Sequence, residues 1–258
     1  MDFAVNTAML VGGLFAGMLV LLEVGRRLGL RRLALDSDAD REGFGVVGGA
    51  IFALMGLLIA FTFSGAASRF DTRRQLVVEE ANAIGTAYLR LDLLPASARE
   101  ALRKSFRDYV DVRLQVYQKL PDITAAKQAL THATWLQGQI WSQALAACQE
   151  APQSATMLLL PALNAMIDIT TTRSVATQIH PPRVIFIMLY VMALASSLLA
   201  GYSMAGGQSS SRWIHMLIFA VIMALTVYVI LDLEYPRLGL IRVDAIDQVL
   251  VDLRDSMK

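Results

Sequence analysis

The chain is short of the groups from which soluble enzymes and secreted scaffolds are built. Its 258 residues hold one cysteine, Cys148, and three histidines, His132, His180 and His215. A disulfide framework within the chain is thereby excluded, as is any site that needs several thiolates. The histidines are scattered, without an HxH or HExxH spacing, and GxGxxG, P-loop and GxSxG patterns are missing. These gaps argue against an enzyme and call for neither cofactor nor metal. Charge is scarce too: 17% of residues are charged, where soluble domains carry about 25%. The 23 Lys and Arg nearly cancel the 22 Asp and Glu, so the basic excess of a nucleic-acid binder is missing and none is expected as a partner. No strand-like alternation of period two is visible, which predicts an all-α chain.

What is present is apolar sequence, 55% of the chain at a mean hydropathy of +0.50. It is concentrated in charge-free runs at residues 3–22, 43–68, 184–211 and 213–231. Each is long enough to cross a hydrocarbon layer of about 30 Å as a helix. The expectation is four transmembrane helices, the first two over about 7–24 and 44–67 and the last two within 182–235, with a C-terminal tail at 236–258. Residues 69–181 carry most of the charges and the period of surface helices, and read as a large helical extramembrane domain between spans two and three. Within it Leu102, Phe106, Tyr109, Val112, Val116 and Leu120 form an apolar ladder. Pro95, Pro121 and Pro152 divide the domain into helices. No breaker separates span two from the helix that follows, so residues 44–93 are predicted to form one rod on the order of 75 Å long.

Arg26, Arg27, Arg31, Arg32 and Arg41 crowd the segment between spans one and two. The positive-inside rule then places that loop in the cytoplasm, with the N-terminus outside and the large domain periplasmic or extracellular. Arg69, Arg73 and Arg74 beyond span two, and Arg237, Arg242 and Arg254 in the tail, argue for the opposite orientation.

Span two carries two stripes. Gly45, Gly49 and Ala53, continued by Gly56, Ala60 and Ser64, repeat small residues every four positions, a pattern that lets helices approach closely in lipid, either within the chain or about an oligomer axis. Phe52, Met55, Ile59 and Phe63 form the other stripe, which either faces lipid or narrows a pore. Thr62 and Ser64 are polar candidates for a pathway, and no ionisable side chain lies centrally in any span. Beyond the span, Arg69, Arg73, Arg74, Glu80 and Asn82 share a broad polar face of one helix, and Asn164, Asp168 and Arg173 precede span three. Together they read either as a structural ion-pair network or as a vestibule that concentrates ions.

The segments Phe61–Arg90, Leu163–Arg173 and Leu231–Val243 resemble the bacterial bestrophin-like domain family. That resemblance implies the layout of bestrophins, pentameric anion channels with two spans, a large helical excursion and two further spans. It makes Phe52, Ile59 and Phe63 candidates for a hydrophobic neck lined by span two, and an inorganic anion such as chloride the candidate permeant of a homo-oligomer. Bestrophins keep the large region in the cytoplasm, opposite to the side favoured by the first loop. The competing expectations are a non-conducting structural or signalling membrane protein whose helical stalk binds a partner, and a proton-coupled stator-type subunit.

Overall fold

The computed structural model describes residues 3–32, 38–120, 122–206 and 212–257, and all regular structure among them is helical. In chain order the helices are α1 (Phe3–Arg32), α2 (Asp38–Arg90), α3 (Ala96–Gln118), α4 (Ile123–Gln149), α5 (Gln153–Ala176), α6 (Arg183–Ser203), α7 (Arg212–Glu234) and α8 (Gln248–Ser256), with short 3₁₀ turns after α2 and α6 and before α8. The chain divides into two compact units: residues 1–68 with 180–235, and residues 69–179 with 236–258. Helix α2 contributes to both.

In the first unit α1 lies against α6 and α7. Leu14, Met18 and Leu22 of α1, Leu189 and Ala193 of α6, and Ala220, Val227 and Ile230 of α7 are buried. The tightest approach is made by glycines. A Cβ on Gly25 would stand 2.0 Å from the Leu198 carbonyl oxygen, and one on Gly201 would stand 2.0 Å from that of Leu22. Only a residue without a side chain fits between backbones that close.

Several arginines expected in the first loop are helical. Arg26, Arg27, Arg31 and Arg32 occupy the final turns of α1. Glu23 holds Arg26 and Arg27 at 2.7 Å, three and four residues on. Arg31 and Arg32 lie in the last turn, where cations complement the exposed carbonyls. The Arg41 side chain lies outside the described residues.

The second unit is built on α3, α4 and α5, with the start of its own part of α2 at Arg69 and α8 packed alongside. Ile84, Leu91, Leu102, Phe106, Tyr109, Ile140, Leu159, Leu163 and Leu250 are fully buried in one core. Pro95, Pro152 and Pro182 each precede a first turn, where a missing N–H costs no helical bond, while Pro161 lies inside α5. Asp122 caps α4, its carboxylate accepting the Ala125 N–H at 3.0 Å.

Among the described residues five helices are long and apolar enough to cross a membrane by length and composition: α1, α2, α5, α6 and α7. Helix α5 is the least apolar of them, belongs to the second unit, and buries Arg173 and Thr170 among protein side chains.

Candidate pore helix and buried charge cluster

The first candidate site is the membrane portion of α2. Its buried side is formed by Met55 and Ala66. The small-residue stripe lies on the opposite, open side: Gly45, Gly49 and Gly56 have nothing within 4 Å of an added Cβ, and Ala53, Ala60 and Ser64 are exposed. Among the described residues the stripe therefore packs against nothing. The close glycine contacts are those of Gly25, Gly29 and Gly201 between α1 and the α6 segment.

The aromatic stripe sits at the edge of the open side. Phe52 meets Phe219 of α7 edge-on, ring centres 6.4 Å apart, while Ile59 is half-buried and Phe63 is exposed. The Thr62 hydroxyl donates to the carbonyls of Leu58 at 2.8 Å and Ile59 at 3.0 Å, so its polarity is satisfied by its own helix. Leu57 and Phe61, which the sequence reading passed over, project from the open side with exposures of 52% and 69%.

The second candidate site is a charge cluster inside the second unit. Glu80 of α2 is fully buried and accepts from Arg113 of α3 at 2.5 Å and from Arg173 of α5. Burial by itself would raise the Glu80 carboxyl, but the two guanidinium charges and their hydrogen bonds outweigh it and hold the group below the ordinary carboxylate range. The same carboxylate and neighbouring tyrosines push Arg113 up against its own desolvation. Arg173 reaches on to Asp247 at 3.4 Å, and Asp247 takes both arms of Arg237 at 2.7 and 2.9 Å. Tyr117 is the hub: its hydroxyl accepts from Arg113 at 2.6 Å, and Arg173 and Arg237 lie 3.9 and 4.3 Å from its ring centre. The cluster thus ties α2, α3, α5 and the C-terminal segment together.

The predicted polar set is only partly gathered there. Glu80 and Arg173 meet. Arg73 is buried elsewhere in the unit, donating to the carbonyls of Ala176 at 3.1 Å and Ile179 at 3.0 Å and so closing the end of α5. Arg74 is exposed beside Asp71, Arg69 is half-buried, and Asn82, Asn164 and Asp168 are exposed. Arg113, Tyr117 and Asp247 were not among the residues picked from the sequence, and Arg237 had been weighed only for its bearing on orientation. Arg113 was nonetheless signalled: it falls four residues after Tyr109 and three before Val116, in the middle of the apolar ladder of α3, where an arginine must be buried and paired.

A fold of this kind, with charge-poor helices as long as a bilayer is thick and a helical unit inserted between them, defines a multi-pass, all-α membrane protein. The chain belongs to the bestrophin-like family, the profile of the Bestrophin-like domain matching residues 12–246. Among solved structures it is similar to a bacterial bestrophin homologue from Klebsiella pneumoniae. One variant of that homologue superposes with a TM-score of 0.64 at 15% identity, over 95% of this chain and 98% of the other. A second superposes at 0.61 and 14%, over 93% and 98%. A structure described as a membrane protein gives 0.62 at 15%, over 94% and 97%. Comparison with curated protein sequences gives no match.

Proposed function

We propose that the chain assembles as a homo-oligomer in a bacterial inner membrane and conducts inorganic ions, anions foremost, along a path lined by α2. The observation that carries this reading is the open face of α2. Over the stretch from Gly45 to Ser64 the small-residue face of the helix meets no partner among the described residues. In lipid such a stripe is the usual means by which helices approach each other closely. Copies arranged about an axis would bring their α2 helices together there, with Phe52, Ile59 and Phe63 at the edge that narrows the passage and with Thr62 and Ser64 as its scarce polar groups. Uncharged, apolar constrictions pass or block ions by wetting and dewetting.

Four spans, α1, α2, α6 and α7, fit this layout, with α5 kept in the extramembrane unit by its buried Arg173. Bestrophin likeness supports the anion preference, and Arg69 and Arg74 at the end of the span would favour anions at its mouth.

Purified protein in planar bilayers should give an anion-selective reversal potential under a salt gradient. Phe63→Ala should raise the unitary conductance by removing bulk from the passage. Silence across voltage, pH and calcium would overturn the reading.

A further inference from the structure

The second unit presents two long helical faces that lack the charge a solvated surface normally carries. Lys127 is the one Lys, Arg, Asp or Glu in the 27 residues of α4. The inner side of α4 buries Ala126, Ala133, Leu136 and Ile140 against its neighbours. Its outer side exposes Thr131, Trp135, Gly138, Ser142 and Leu145, with Trp135 at 58%. Neighbouring α3 shows the contrast: Arg99, Glu100, Arg103, Lys104 and Arg107 crowd its first half. Soluble surfaces are about 25–35% charged. The core of a protein interface is instead depleted of charge and enriched in tryptophan.

The other face belongs to α5. Its outward residues include Met157, Leu158, Pro161, Ala165 and Val175, all exposed, and Asp168 is the one charge among them. The hydrogen bond from Arg90 to the Leu158 carbonyl, 2.5 Å, sets exposed Leu89 of α2 beside this face.

The charges decide how these faces are used. Among the described residues neither Lys127 nor Asp168 has an ion-pair partner. A parallel contact of either face with its own copy would bring like charges together, whereas α4 against α5 sets a cation against an anion. A ring also requires two different patches that match, since a self-complementary patch closes at two subunits. We infer that α4 of one copy docks on α5 of the next, with Trp135 and Leu145 in the contact and Lys127 directed to Asp168. This rests on the homo-oligomeric reading above and names the surfaces that build it.

The test uses full-length protein in detergent and in nanodiscs. Lys127→Glu, Asp168→Lys and Trp135→Glu change exposed positions, so helicity by circular dichroism should stay at the parent value. Each single variant should raise the concentration at which the oligomer dissociates about tenfold or more, as like-charge juxtaposition does in an interface. The Lys127→Glu/Asp168→Lys double variant should restore the parent value. Copies carrying Lys127→Cys, mixed with copies carrying Asp168→Cys in a Cys148→Ser background, should form a disulfide-linked dimer, and neither set alone should.

If the parent protein is monomeric at every concentration, the homo-oligomeric reading fails and this assignment with it. If the parent is oligomeric but the three single variants leave it intact and no mixed disulfide forms, the assignment alone is overturned, and α4 is covered by lipid or by a different protein. A disulfide formed within one set alone overturns it too, in favour of a self-complementary contact.

Discussion

Glu80 is the fully buried carboxylate of the second unit's charge cluster. It sits at zero exposure between two guanidiniums, in a place where a lone ion would be costly. Glu80→Gln keeps the shape but leaves Arg113 without its countercharge and Arg173 with only the longer pair to Asp247, a change expected to cost about 3–5 kcal/mol. The sign of the pH dependence follows from the direction of the shift. The folded carboxyl titrates below its unfolded counterpart, so its contribution is fully present above the unfolded value, roughly pH 4.3. It is lost as pH falls through the folded value. At the alkaline end Tyr109, buried with its hydroxyl bonded to Thr170 and Gln137 at 3.0 Å, is pushed up to about 12. Its contribution is present below the unfolded value near pH 10 and lost as pH rises towards 12. Denaturant titrations between pH 3 and 11 should show both limbs, and Glu80→Gln should flatten the acid one. An unchanged acid limb in that variant would count against the cluster as its source.

At the scale of the element, α1 and α6 are the pair most sensitive to added volume. Gly201→Ala puts a methyl group against the Leu22 backbone, which cannot swing aside as a flexible side chain can. The helices must separate, at an expected cost of about 1–3 kcal/mol. Gly12→Ala in α1 meets nothing within 4 Å and serves as the control. Thermal unfolding in detergent should show a clear loss for Gly201→Ala and little change for Gly12→Ala; equal midpoints would mean that the helices are not so close. The comparison explains why the spacing of small residues was ambiguous. Gly45, Gly49 and Gly56 meet nothing within 4 Å, whereas Gly25 and Gly29, four apart, and Gly201, four residues after Ser197 and four before Ala205, touch another backbone. Periodicity shows that a face is smooth and carries no information on what lies across from it.

For the whole molecule, the orientation in the membrane is open to a direct measurement. The arginines at the end of α1 favour an external N-terminus, and four spans would return the C-terminal segment to that same side. A reporter fused after the C-terminal residue and active only outside the cytoplasm is the expected result. Activity only in the cytoplasm would place the second unit there, as in bestrophins, and would mean that Arg69, Arg73 and the tail arginines outweigh those of α1.

The sequence by itself determined the all-helical class, the charge-free runs, the prolines that separate α3, α4 and α5, and the unbroken course of α2, because each follows from local backbone chemistry and hydrophobic period. It also brought Glu80 and Arg173 under suspicion, since charges on otherwise apolar helices must be satisfied somewhere. Only the tertiary structure decided that Arg113 and Tyr117 join them, that Asp247 and Arg237 return from the far end of the chain to complete the cluster, and that Arg73 instead closes the end of α5. Apart from the short steps from Arg113 to Tyr117 and from Arg237 to Asp247, those contacts join residues 33 to 120 positions apart, and no local pattern encodes which buried cation will meet which carboxylate.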